Sequence, residues 1–279
     1  MVTDAPKVNC IEILGVAQDG GRPHLNCEKS CCANVDDEKL VAALAVHGAD
    51  EQWVLIDASP DMAQQIRNVG SMPSAIVLTH AHIGHYTGLT HLGREVMSAD
   101  NLAVWCSASM ADFLRANGPW SQLVELQNIR LYEFKSGGAF SPIPGVKMIP
   151  LKVPHRDEYS DTHGFSISMN SRRTLYIPDI DSWSAWGDLA TFARAHENLI
   201  IDATFYDDDE LGGRDMSMIP HPRVKESLEI LAPIIRDTGL RVIFTHLNHT
   251  NPLWNVGSVA YENVSSQHAE VAKRGLIVQ

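Results

Sequence analysis

What this chain has little of narrows its class. Only five of its 279 residues are cysteine, and three of those, Cys27, Cys31 and Cys32, are clustered. An odd, clustered set favours metal binding over a disulfide framework. Basic residues are scarce, with 22 Lys and Arg against 34 Asp and Glu, giving a formal net charge of −12. With a pI near 5.5, such a surface argues against a nucleic-acid backbone as the main partner. Runs of apolar residues never approach bilayer-spanning length, which excludes a helical membrane span. The opening stretch Met1–Lys7 lacks the basic and apolar regions of a signal peptide, so a cytoplasmic protein is expected. Low-complexity segments, long linkers and obvious repeats are missing too. The 44% hydrophobic content is ordinary for a globular protein with a core of its own.

Strand-like runs alternate with helical ones, which signals an α/β fold. Strands are expected at Cys10–Leu14, Trp53–Asp57, Ala75–Thr79, Leu102–Cys106, Val146–Val153, Gly164–Met169, Thr174–Ile177, Leu199–Ala203 and Arg241–Thr245. Helices are expected from Ser59 to about Asn68, with Ser59 as cap, and over Ser109–Asn117, Ala185–His196, Pro222–Ile235 and Ser258–Arg274.

Polar residues with ligand chemistry sit just past several of these strands. The apolar run Ala75–Leu78 leads into Thr79-His80-Ala81-His82-Ile83-Gly84-His85. Imidazole is the commonest side-chain metal ligand, and a loop leaving a strand can aim several at one ion. His155 follows Leu151–Pro154, Asp179 follows Leu175–Pro178, and His246 follows Val242–Thr245. One histidine after a strand says little. Four strand ends presenting His and Asp in this order suit a zinc-like site.

The motif His-x-His-x-x-His, with the later His, Asp and His, resembles the metallo-β-lactamase superfamily over nearly the whole chain. The resemblance implies an αββα sandwich, two mixed β-sheets flanked by helices, formed by residues 1–279 as one domain. It implies that His80, His82 and His155 hold a first metal, that Asp179 bridges two, and that His85 and His246 serve the second. The expected metal is Zn2+, one or two ions, with manganese or iron as alternatives. Segments 53–61, 202–210, 213–216 and 248–252 resemble the branch containing coenzyme PQQ synthesis protein B. The ligand set is similar to the phosphodiesterase branch, which includes the phosphonate-pathway cyclic phosphodiesterase and ribonuclease Z. In the phosphodiesterases a histidine matching His221 lies near the leaving group, which implies a proton donor there.

The sequence departs from this superfamily at Gly84, where an aspartate usually ligates the second metal and orients water. Asp19, in the loop Ala17-Gln18-Asp19-Gly20-Gly21, is the candidate replacement carboxylate, since Gly84 leaves room for a group arriving from elsewhere. A turn residue before Gly-Gly is the competing reading of Asp19. Related branches bind a structural zinc with a cysteine cluster. By that resemblance Cys27, Cys31, Cys32 and His249 would form a knuckle near residues 24–32. Because Cys31 and Cys32 are adjacent, His24 stands as an alternative ligand. Cys10 and Cys106 read as core, and Asp207–Glu210 as a solvated acidic loop. Trp183 and Trp186 read as either pocket rim or packing.

Three functions follow as expectations. The first is a metal-dependent hydrolase in which hydroxide on the metal attacks a small ester or phosphodiester, with an anionic substrate and His221 as proton donor. The second is a cofactor-biosynthesis protein like coenzyme PQQ synthesis protein B, with iron and oxidative chemistry. The third is a binding protein with a degenerate site. A homodimer is an open option for assembly.

Overall fold

The computed structural model describes residues 7–279 except 34, 36, 217 and 218. Two seven-stranded sheets lie face to face. The first contains β1 (Cys10–Gly15), β2 (Ala43–His47), β3 (Trp53–Ile56), β4 (Ala75–Val77), β5 (Leu102–Cys106) and β6 (Ile129–Glu133). The second contains β7 (Phe140–Ile143), β8 (Val146–Lys152), β9 (His163–Met169), β10 (Arg172–Ile177), β11 (Asn198–Asp202), β12 (Arg241–Thr245) and β13 (Glu270–Val271). Strand β14 (Ile277–Val278) returns to close the first sheet against β1.

Alternation along each strand builds the layers. In β3, Val54 and Ile56 point into the core between the sheets, where they meet Phe165, Tyr176 and Ile200. Trp53 and Leu55 point outward and pack with Met62 of α1 (Met62–Val69), Met110 and Leu114 of α3 (Ala108–Ala116) and Leu123 of α4 (Trp120–Glu125). On the second sheet, Leu199 and Ile201 of β11 face α6 (Leu189–Arg194), α7 (Val224–Thr238) and α8 (Val259–Ser266). Both faces of the central strands are therefore covered, which explains their continuous apolar runs. This is the αββα sandwich that the sequence leads one to expect.

Several local expectations fail for physical reasons. Strand β2 comes from an alanine-rich segment with no polar alternation, since all its residues are buried. The final helix stops at Ser266, and the chain then adds β13 to the second sheet. The segment 185–196 is broken at Gly187, whose φ of 79° ends α5 (Trp183–Trp186) before α6 begins. Ser59 does not cap α1. Asp61 occupies that position without a capping bond, while the Ser59 hydroxyl accepts from Asp61 N–H and donates to Gln65.

Strands β3 to β6 run parallel, as do β10 to β13. Asp57, Thr79, Asp179, Asp202 and His246 thus lie at or just beyond the C-terminal ends of β3, β4, β10, β11 and β12. Sites in α/β folds gather at such ends.

Candidate metal centre

Helix α2 (Ile83–Tyr86) begins one residue after His82, so the loop leaving β4 turns at once and brings His85 back beside His80, with ring centroids 4.2 Å apart. His80, His82, His155 and Asp179 converge so that one donor atom from each lies within 4.8 Å of the others. Asp179 Oδ2 is 3.4 Å from His80 Nε2 and 3.0 Å from His155 Nε2. Asp19, His85 and His246 form a neighbouring group, and Asp179, Asp202 and His246 a third that joins the two. The structure therefore brings together every active-site ligand candidate named from sequence.

The shell behind these rings fixes which nitrogen faces inward. Thr79 donates its N–H and its hydroxyl proton to Asp57. A hydroxyl has one proton, so His80 Nδ1, 3.0 Å away, must donate to the Thr79 oxygen. Nε2 of His80 is then left with a free lone pair. His85 Nδ1 donates to Asp57 Oδ2 at 2.7 Å with the same result. On the other sheet, Thr204 donates its N–H and hydroxyl to Asp202, and His246 Nδ1 lies 2.9 Å from the Thr204 oxygen. His155 Nδ1 is held by Asp181 at 2.7 Å. His82 is oriented the other way: Glu158 takes its Nε2 at 2.8 Å, and its Nδ1 faces His155. Such outer partners set the tautomer and basicity of ligating histidines.

The freed atoms meet no protein partner. Among the described residues, Asp19 Oδ1, His80 Nε2, His85 Nε2, Asp179 Oδ1 and His246 Nε2 are buried without a hydrogen bond. Leaving one such group unpaired costs about 1–3 kcal/mol. Five converging lone-pair donors fit a cation, and a His/Asp donor set suits zinc, manganese or iron. Burial raises the Asp179 carboxyl, but the His155 and His221 charges outweigh it and hold it well below the usual range. Burial likewise works against Asp19, yet the imidazoles of His246 and His85 beside it hold its carboxyl well below the usual range. Burial opposes a proton on His155 as well, but the Asp179 charge lifts it to about 9. The pocket thus attracts positive charge. Backbone strain adds to the pattern: Asp57 and His246 are non-glycine residues at φ 68° and 61°.

His221 lies beside the ligands. Its Nδ1 is 2.9 Å from Asp202 Oδ2 and 3.4 Å from Asp179 Oδ1. Arg156, 47% exposed, stands at the mouth with a guanidinium nitrogen 3.4 Å from His82 Nδ1.

The cysteine knuckle is also assembled. Cys27 and Cys31 sulfurs are 3.8 Å apart, Cys31 and Cys32 3.9 Å, and His249 Nδ1 lies 3.6 and 3.3 Å from Cys31 and Cys32. A tetrahedral ion with bonds of about 2.3 Å to sulfur separates its sulfurs by about 3.8 Å. Adjacent Cys31 and Cys32 do both reach the centre. His24 is not a ligand here: it stacks on the His249 ring at 4.5 Å and its N–H donates to Cys32.

Of the two readings of Trp183, pocket rim or packing, the structure takes packing: it is core, with its indole N–H bonded to Ser227. The acidic loop is not wholly solvated, because Glu210 folds inward onto Tyr206 N–H and Thr250. Cys10 and Cys106 are buried, as expected. Sequence reasoning missed Asp57, Thr79 and Thr204 as orienting groups. A signal was present, since Leu55-Ile56-Asp57-Ala58 and Ile200-Ile201-Asp202-Ala203 repeat one apolar-strand-then-aspartate pattern.

Comparison with known proteins agrees with this fold. Coenzyme PQQ synthesis protein B of Azoarcus sp. (strain BH72) is 28% identical, with 96% of this chain and 99% of that protein covered. The Zn(2+)-bound PqqB from Methylobacterium extorquens superposes with a TM-score of 0.83 at 22% identity, over 97% of this chain and 99% of that one. A diphosphatase from the PhnP family has a TM-score of 0.69 at 20% identity, with 96% of each chain covered. Residues 52–247 match the Beta-lactamase superfamily domain, and the chain belongs to that superfamily.

Proposed function

We propose that this protein is a metal-dependent hydrolase of a small, anionic ester or phosphodiester. The observation that carries the reading is the set of buried, unpartnered donor atoms on His80, His85, Asp179, His246 and Asp19. His80, His82 and His155 would hold the first ion, with Asp179 shared toward a second beside His85 and His246. When bound, a zinc-class ion supplies Lewis acidity and lowers the pKa of water at the site. The chain's own residues do the rest. Asp202 fixes His221 through Nδ1 and leaves Nε2 to give a proton to the departing oxygen. Arg156 at the mouth pairs with an anionic group, its own partner Glu158 being 3.7 Å away. The similarity to the PhnP-family diphosphatase supports this reading at the level of fold.

The likeness to coenzyme PQQ synthesis protein B over 96% of the chain favours a second reading, a part in cofactor biosynthesis. The His/Asp donor set suits iron as well as zinc, which would bring oxidative chemistry. The test is protein purified without added metal, analysed for its elements and assayed on small phosphodiesters and carboxylic esters. Zinc or manganese with turnover supports the hydrolase. His221→Ala is then expected to slow esters with alkoxide leaving groups by about 10²–10⁴-fold and nitrophenyl esters far less. Iron with oxygen consumption and no ester turnover overturns the hydrolase in favour of the second reading. Protein that takes up no ion at His80 and His82 overturns both.

A further inference from the structure

Asp19 reaches the centre from the loop after β1, not from the histidine loop. Its Oδ1 lies 3.4 Å from His85 Nε2 and 3.8 Å from His246 Nε2. Gly84 makes this approach feasible. A Cβ on residue 84 would stand 2.1 Å from Asp19 Oδ1 and 2.9 Å from its Cα. The carboxylate cannot stay 2.1 Å from a carbon, so a side chain at 84 and a carboxylate from 19 exclude each other. With glycine at 19 only the 2.9 Å approach to its Cα remains, which a small shift of a glycine loop relieves.

The loop carrying Asp19 is held at both ends. Upstream, Gln18 N–H donates to the Leu247 carbonyl and Leu247 N–H to that of Val16, at 2.9 Å each. This ties the loop to the residue after His246. Downstream, the chain enters the cysteine knuckle. His24 packs so close to Gly20 that a Cβ there would lie 2.4 Å from its ring. The Arg22 guanidinium donates to the Cys31 carbonyl at 2.8 Å, and His24 stacks on His249. His249 stands three residues beyond His246, so the knuckle grips two of the three chain segments that supply this position.

We propose that the second active-site ion is held by Asp19 with His85 and His246, and that the knuckle ion governs its retention by seating the loop that delivers Asp19. The proposal rests on the reading that these residues bind metal, not on hydrolysis. It makes the knuckle thiolates, which are not themselves ligands of the centre, a control point for metal content there.

The experiment counts zinc in the full chain and follows the knuckle by the thiolate-to-metal absorption of its cobalt(II) form. Wild-type protein is expected to hold about three ions, Asp19→Ala and Gly84→Ala about two, and Cys32→Ser about one, since it loses the knuckle ion and the second ion together. The exchange variant Asp19→Gly/Gly84→Asp moves the carboxylate to the histidine loop. It is expected to regain about three ions, and to keep about two when Cys32→Ser is added. Asp19→Ala retaining the wild-type count overturns the assignment. Cys32→Ser losing a single ion, or losing the same ions in the exchange variant, overturns the control. If Cys32→Ser fails to fold, a weak chelator titrated into wild-type and exchange proteins decides. The second ion must leave with the thiolate band in the former and after it in the latter; any other order overturns the control. A protein that holds three ions yet hydrolyses no ester sinks the hydrolase reading and leaves this one standing.

Discussion

The two halves of the centre use the same parts in different wiring. In the N-terminal half, Asp57 at the end of β3 serves Thr79, and through it His80, and binds His85 directly. All three partners lie within one loop of seven residues, 79–85. In the C-terminal half, Asp202 at the end of β11 serves Thr204, accepts from Ile180 N–H and holds His221, while Thr204 meets His246. Those partners come from four separate segments. The first carboxylate organises a loop, and the second ties distant loops together. Both are fully buried.

The largest effect expected is therefore on Asp57 and Asp202 themselves. Either change to Ala leaves several buried donors unpaired, and each is expected to cost about 3–5 kcal/mol in denaturant unfolding. The comparison predicts different metal phenotypes. Asp57→Ala frees both His80 and His85, so affinity falls at both ion positions. Asp202→Ala frees His221 and loosens His246, so His80, His82 and His155 keep their ion. Equal losses at both positions in the two variants would break the distinction, and calorimetric zinc titration reads it directly.

A second contrast is pH. The C-terminal half carries Glu210, whose carboxyl burial pushes up to about 7, a rise that its bond with Thr250 moderates. The folded state then holds a proton that the unfolded chain gives up near its ordinary value of 4.5. Stability from this group is fully present below about pH 4.5 and is lost as pH rises through about 7. The change amounts to roughly 3 kcal/mol. Glu210→Gln keeps the shape and removes the titration. Measured against wild type at constant metal, it is expected to gain that stability near pH 8 and little near pH 4.5. A difference that does not vary with pH would show that Glu210 does not hold the extra proton.

How much of this was legible in the sequence follows from the same wiring. The ligands His80, His82, His85, His155, Asp179 and His246 stood out because a histidine or aspartate after an apolar run is a visible break in pattern. The α/β class followed from the alternation of strand and helix, and the sandwich from the resemblance to the metallo-β-lactamase superfamily. Asp57 was invisible because a lone aspartate at a strand end is the commonest way a strand stops. Only its repetition at Asp202 carries information, and that repeat is 145 positions away by the numbering of the two residues. Strands β13 and β14, two residues each, are too short to show a period of any kind. The inward turn of Glu210 depends on Thr250, forty residues on, which no local pattern encodes.

The smallest effect concerns the two threonines, and it tests the comparison most sharply because the substitution is nearly isosteric. Thr→Val removes the hydroxyl that relays between carboxylate and imidazole, at 3.0 Å from His80 and 2.9 Å from His246. Loss of an outer partner typically lowers metal affinity about 10–100-fold. In Thr79→Val, His85 keeps its direct bond to Asp57, so the second position is spared and only the first weakens. In Thr204→Val no other described group holds His246 Nδ1, and the second position weakens. Thermal stability should fall by only about 1 kcal/mol in each, since the Thr N–H still donates to its aspartate. Competition with a chelator of known affinity separates the two ions. If both variants weakened the same ion, the halves would be coupled through Asp179, which lies within ion-pair reach of both His80 and His221.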